Sequence, residues 1–164
     1  MIITLKNKET LICEDFVFRC SIGRNGITKN KKEGDKKTPS GIFGFGNLYY
    51  RKDKNRKPNT KLKCIPITKR MGWCDDPKDK NRYNKLIKIK KNIQHEKLFR
   101  KDDIYDFIIP ILYNSKKIIP GKGSAIFLHL TKNYKKTLGC IALKKKDFLI
   151  LLRLINKNTK LKIS

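Results

Sequence analysis

Hydrophobic positions in this chain come in short runs, and most of the runs are too short for helices. Ala125-Ile126-Phe127-Leu128 is a continuous apolar stretch ahead of a Lys-rich connection, Thr131–Lys136, and Ile141-Ala142-Leu143 follows that connection. Runs of this length between polar segments predict buried strands. Met1–Leu5 and Thr10–Cys20 predict an antiparallel pair, turned at Lys6-Asn7-Lys8-Glu9. Ile42–Tyr50, Ile104–Tyr113 and Thr159–Ile163 predict further strands, and Leu86–Lys91 a weaker one. Helical spacing occurs in Lys144–Ile155, where Phe148, Leu151, Leu152 and Ile155 share a face and Asp147 lies in the first turn, suited to the helix dipole. Gln94–Asp103 also has helical character around Leu98 and Phe99, and His95 within it is expected to be exposed. Between these elements lie three loops. Ser21–Gly46 carries the turn signature Thr38-Pro39-Ser40-Gly41, Arg51–Lys63 is polar and basic, and Met71–Asn84 is rich in turn residues. The pattern predicts one mainly β domain over residues 1–164, a sandwich or flattened barrel of mixed sheets with a C-terminal helix and short helical segments.

The candidate chemistry lies where two apolar runs meet. The first run ends in His129, and the connection leads through Thr137-Leu138-Gly139 to Cys140, which opens the second. A free thiol is mostly protonated at neutral pH, so a nucleophilic cysteine needs a base within reach. Histidine is the usual choice, and its proton shuttling contributes about 10²–10⁴ in rate. Gly139 allows close approach of a substrate and a sharp turn whose backbone N–H groups can hold an oxyanion. The competing reading makes Cys140 a small buried hydrophobe and His129 a satisfied core histidine.

The flanking residues decide between them. The segment Gly123–Leu143 resembles the catalytic motif of the L,D-transpeptidases, the YkuD-type peptidoglycan enzymes, and looks like a short, single-domain branch. In that family a histidine follows a hydrophobic strand, and Ser/Thr-His-Gly-Cys follows a connection. His129, Thr137, Gly139, Cys140 and Ile141 stand at those positions. Leu138 stands where most members have histidine, and Ala142 where many have arginine or asparagine. A second motif of the family, K-x-G-D-x-x-T-P-x-G, is similar to Glu33-Gly34-Asp35, Thr38-Pro39 and Gly41. The resemblance runs from about Ser21 to Ser164. It implies Cys140 as nucleophile, His129 as base, an oxyanion held around Gly139, and substrate contacts at Thr137 and Leu138. Met71–Asn84 contains Trp73, Asp75, Asp76 and Tyr83, which are read either as a structural turn with the indole packed inward or as a wall of the substrate cleft. Arg100 and Asp102 are expected to pair or to line the same cleft. The activity implied is acyl transfer on peptidoglycan stem peptides through a Cys140 thioester, with no metal and no cofactor. Hydrolysis of the same bond by an L,D-carboxypeptidase is the alternative.

Composition changes this picture at its edges. The chain of 164 residues has a formal net charge of +27. Such a charge invites a nucleic-acid reading. Yet lysine far outnumbers arginine, the residue suited to bidentate phosphate or base recognition, and no aromatic-rich RNA-binding strand or zinc-finger spacing is present. A solvated basic surface attracted to an anionic envelope fits better than a specific nucleic-acid partner. A non-catalytic basic protein that binds wall or nucleic acid is the rival from another class. The five cysteines contain no C-x-x-C pair and only two histidines accompany them, which argues against structural zinc. Their odd number leaves a free thiol in a monomer, the expected state. Cys13–Cys20 and Cys64–Cys74 are open as disulfides. No apolar run approaches a membrane span, and Met1–Leu5 runs into charged residues without the pattern of a secretory signal. The resemblance nonetheless implies the periplasm or cell envelope.

Overall fold

The computed structural model describes residues 1–164. In chain order the strands begin with β1 (Ile2–Lys6), β2 (Thr10–Cys13), β3 (Phe16–Ser21), β4 (Ile27–Thr28), β5 (Thr38–Pro39), β6 (Gly41–Gly44), β7 (Leu48–Tyr50) and β8 (Cys64–Pro66). They continue with β9 (Met71–Cys74), β10 (Leu86–Lys88), β11 (His95–Lys97), β12 (Phe107–Pro110), β13 (Phe127–Leu130) and β14 (Ile141–Leu143). Helix α1 (Lys145–Leu154) and strand β15 (Lys160–Ile163) complete the order.

Ten strands form one mixed sheet in the order β6-β15-β1-β2-β3-β14-β13-β12-β7-β8. Just past β6, Phe45 bridges to Ile111, and the Gly46 N–H donates to the Pro110 carbonyl at 2.8 Å. The β6 edge is thereby brought back onto the end of β12. The sheet curls into a flattened barrel, which removes an open edge. Inside it, Ile3, Leu5, Leu11, Cys13, Phe18 and Cys20 point inward at alternate positions, as the two-residue strand period requires. Helix α1 closes the interior with Phe148, Leu151 and Leu152. Its exposed first turn carries Asp147, and Arg153 lies in the last turn, both favourable to the helix dipole. No helix is long and apolar enough to cross a membrane.

Alternation also gives β13 and β14 two different faces. Leu128, Leu130, Ile141 and Leu143 belong to the barrel core, whereas Phe127 and Cys140 belong to a second cluster on the outer side with Tyr49, Ile67, Leu98, Tyr105 and Ile108. The three-stranded sheet β10-β9-β11 lies against this outer cluster, with Trp73 of β9 edge-on to Phe127 at 5.3 Å between ring centroids.

Several elements differ from the sequence expectations. Thr10–Cys20 is two strands, because Glu14 adopts a left-handed φ of 52° and turns the chain between Cys13 and Phe16, which pair with each other. Ile42–Tyr50 divides into β6 and β7 where Gly46 packs on Pro110. Gln94–Asp103 is not helical: β11 pairs with β9, and only then do Leu98 and Phe99 reach the outer cluster. His95 is half-buried rather than exposed, its Nδ1 facing the Ile93 carbonyl at 2.6 Å and its ring lying over Gly72. The short helical segments expected around the barrel are hydrogen-bonded turns, such as Asp79–Tyr83. All five cysteines are free thiols.

Candidate active site

Parallel pairing of β13 with β14 sets Leu128 opposite Ile141 and His129 opposite Ala142. His129, Ala142 and Cys140 therefore face the same way, outward from the barrel. They line a cleft of about 670 Å³. The Thr131–Leu138 connection forms part of its wall, contributing Lys132, Lys135 and Lys136. Carboxylates enter from other segments: Glu33 from the loop before β5, Asp75 after β9, and Glu96 of β11.

The tautomer of His129 is fixed by its own strand. Its Nδ1 lies 2.8 Å from the Leu130 carbonyl. A carbonyl only accepts, so Nδ1 carries the proton and Nε2 is left as the basic nitrogen. Burial lowers the imidazole pKa to about 4, with the Arg100 charge adding to the effect and the Leu130 hydrogen bond opposing it. Burial likewise raises the Cys140 thiol to about 12, against a smaller stabilisation of the thiolate by the Phe127 N–H. The resting pair is thus a neutral thiol and a neutral imidazole. The thiol donates to the Ala125 carbonyl at 3.3 Å and accepts from the Phe127 N–H at 3.3 Å, with no hydrogen bond to His129.

The turn into Cys140 is held from three sides. Thr137 Oγ1 donates to the Cys140 carbonyl at 2.6 Å and accepts the Gly139 N–H at 3.1 Å. Thr38 Oγ1, from the Thr38-Pro39 motif, donates to the Gly139 carbonyl at 2.9 Å. Gly139 has φ of +141°, and a Cβ there would sit 2.9 Å from the Lys37 carbonyl, so no other residue fits without moving the backbone. Thr137 takes the Gly139 N–H, while the Leu138 and Cys140 N–H groups of the same turn have no acceptor in the protein. Ahead of this turn, Asp35 organises the Gly-rich loop: burial opposes its charge, but Lys31 and the Lys32 and Lys37 N–H groups hold its carboxyl below the ordinary value.

Most of the residues singled out in the sequence come together here, in different roles. Thr137, Leu138, Asp75 and Arg100 line the cleft with His129 and Cys140. Leu138 is 68% exposed at its mouth. Arg100 both pairs with Asp102 at 2.6 Å and lies 5.0 Å from the Tyr105 ring centroid. Trp73, Asp76 and Tyr83 lie outside the lining. Trp73 packs on Phe127 and donates to Asn84; Asp76 accepts the Lys78 N–H in a surface turn; Tyr83 is wholly buried and donates to Glu33. The sequence reading missed Tyr105 and Glu96. Tyr105 stands edge-on to His129 at 5.4 Å, and its hydroxyl is kept protonated by burial and by Cys140 and Glu96 nearby. Nothing in the local sequence marks either residue, since the pairing of β11 with β9 brings Glu96 to the cleft and the packing of the segment before β12 brings Tyr105. No group of three or more His, Cys, Asp or Glu side chains is placed to hold a metal ion.

The family model of the L,D-transpeptidase catalytic domain, YkuD, matches residues 3–163. The chain belongs to the L,D-transpeptidase catalytic-domain family. No curated protein and no solved structure matches it. The match spans nearly the whole chain, and the mostly β architecture with its single C-terminal helix is consistent with the family fold. L,D-transpeptidase-family function is directed at peptidoglycan, so family membership brings a wall-directed, transpeptidase-type enzyme function.

Proposed function

We propose that this family member is a cysteine acyltransferase that cross-links or remodels peptidoglycan stem peptides through a Cys140 thioester. One observation carries the reading: Cys140 and His129 open from adjacent parallel strands onto one cleft, and the Leu130 carbonyl reserves His129 Nε2 for proton transfer. The cleft sets lysines of the 131–138 connection beside the carboxylates Glu33, Asp75 and Glu96, which suits a peptide bearing both carboxylates and an amine.

In the acylation step the thiol leaves the Ala125 carbonyl and turns toward His129. The sulfur attacks the carbonyl that joins the L-centre of the diamino acid to the terminal D-alanine, and Nε2 takes the thiol proton. The Cys140 N–H stabilises the developing oxyanion. Collapse of the tetrahedral intermediate breaks the C–N bond. His129 returns its proton to the departing D-alanine amine, leaving the thioester. An amine of a second stem then attacks the thioester, gives its proton to His129, and releases the cross-linked product and the thiol. Thr137 and Gly139 hold the turn, while Leu138, Asp75 and Arg100 face substrate. The catalytic unit is one domain over residues 1–164 acting as a monomer in the periplasm or cell envelope.

The test uses the protein and its Cys140→Ala variant, each incubated with disaccharide-tetrapeptide and followed by mass spectrometry. A cross-linked dimer lacking one D-alanine, made only by the unaltered protein, supports the transpeptidase. A tripeptide monomer makes the enzyme a carboxypeptidase with the same nucleophile. Identical, unchanged substrate in both samples sinks the acyl-transfer reading.

A further inference from the structure

Asn84 lies in the turn after β9, outside the cleft, and its side chain is used completely. Its Oδ1 accepts the Trp73 Nε1–H at 2.9 Å and the Ala125 N–H at 3.1 Å. Its Nδ2 donates to the Tyr113 carbonyl at 3.1 Å and the Asn114 carbonyl at 2.9 Å. The residue is buried and itself left-handed, with φ of 56°, a conformation asparagine tolerates better than most. Four hydrogen bonds from one buried amide make a rigid clamp.

The clamped residue is in an unusual state. Ala125 has φ of 51°, in the left-handed region that disfavours a residue with a Cβ. That conformation is what turns its carbonyl to the Cys140 thiol, 3.3 Å away. Backbone strain of this kind persists only where neighbours impose it. Here the neighbours are Asn84 at the Ala125 N–H and Tyr83, whose hydroxyl accepts the Gly123 N–H at 3.1 Å while donating to Glu33. Ser124 Oγ donates to the same carboxylate at 2.7 Å. Residues 123–125 are thus pinned at each position by the Tyr83-Asn84 pair or by Glu33.

We propose that Asn84 is a positioning residue for the nucleophile: it holds Ala125 left-handed, and the Ala125 carbonyl in turn fixes where the Cys140 sulfur rests. The inference builds on the reading of Cys140 as nucleophile. The Ala125 carbonyl and the Phe127 N–H hold the sulfur on the β13 side of the cleft. Without Asn84, Ala125 relaxes to negative φ, its carbonyl turns away, and the neutral thiol loses its acceptor.

The experiment follows iodoacetamide alkylation of each cysteine by peptide mass spectrometry at one fixed pH, alongside turnover on disaccharide-tetrapeptide. In Asn84→Ala, Cys140 alkylation rises about three- to tenfold, because a hydrogen bond to the neutral thiol is gone. Turnover falls about ten- to a hundredfold in kcat with little change in KM, because the sulfur is misplaced. The buried Cys13, Cys20 and Cys74 remain protected, which separates this effect from general opening of the fold. Adding Ala125→Gly to Asn84→Ala restores the Cys140 protection in part, since glycine adopts positive φ without penalty. Unchanged Cys140 alkylation in Asn84→Ala overturns the proposal. So does an increase shared by all four thiols, or one that glycine at 125 fails to reduce. The alkylation readout does not depend on the substrate, so it stands even where the transpeptidase assay fails.

Discussion

Thr38 and Gly139 are 101 residues apart in sequence, and the Thr38 hydroxyl donates to the Gly139 carbonyl at 2.9 Å. The same oxygen accepts the Gly23 N–H at 2.9 Å. The first motif of the chain is therefore a brace for the second. Replacing Thr38 by valine keeps the shape and removes both bonds at a wholly buried position. We expect a loss of about 1–3 kcal/mol in stability, measured by urea unfolding, together with lower turnover from a looser Gly139-Cys140 turn. Unaltered stability would show that the brace is not needed.

Gly139 tolerates no side chain for a reason independent of that bond. Its φ of +141° and the Lys37 carbonyl leave no space for a Cβ. Gly139→Ala is expected to reduce kcat by about a hundredfold or more by displacing the adjacent sulfur, and to destabilise the fold by about 1–3 kcal/mol. Thermal unfolding and single-turnover acylation measure the two effects separately.

The low pKa of His129 sets the acid side of the pH profile. Only the neutral imidazole accepts a proton, so kcat/KM should hold down to a limb near pH 4, the value to which burial lowers the group. Stability follows a wider window. The unfolded imidazole binds its proton near 6.5 and the folded one near 4, so between these values the unfolded chain holds more protons and stability falls as pH falls. The total is about 3 kcal/mol from this group. Unfolding of the protein and its His129→Gln variant across pH 4–7 isolates it; equal pH slopes in the two proteins would refute the assignment.

Leu138 offers a gain rather than a loss. It is exposed at the cleft mouth and stands where the family pattern has histidine. Leu138→His should leave stability within about 0.5 kcal/mol and raise kcat/KM about two- to tenfold through one added polar contact to substrate. Steady-state kinetics on the tetrapeptide checks the direction; a lower kcat/KM would mean that the cleft has adapted to leucine.

The placing of His129 and Cys140 on neighbouring strands was readable because the strand period is simple. An apolar run ending in histidine, followed by a glycine-cysteine turn and a second apolar run, leaves few arrangements other than two neighbouring strands. The amphipathic face of Phe148, Leu151, Leu152 and Ile155 was equally plain. Less readable were features that depend on distant packing. Leu98 and Phe99 are adjacent apolar residues in a polar segment, compatible with either period, and only pairing with β9 makes their surroundings extended. Asp75, Asp76, Trp73 and Tyr83 are close in sequence, yet the turn that follows β9 sends Asp75 into the cleft and Tyr83 into the interior. Glu96 owes its place in the cleft to the pairing of β11 with β9, and Tyr105 its place beside His129 to loop packing; neither leaves a local pattern.

The position of β15 has a consequence for the order in which the protein assembles. This strand, at 160–163, does not lie at the rim of the sheet but between β6 and β1, parallel to the latter, with Ile2 opposite Lys160 and Ile163 opposite Gly41. During synthesis, β1 and β6 emerge long before the strand that joins them. Until it arrives, both present unpaired backbone to solvent, and Leu161 and Ile163 are missing from the interior. Loop-closure entropy makes such distant pairing slow. The barrel therefore closes only after the ribosome has made the last of its strands, and a nascent chain lacking that strand remains open and susceptible to protease.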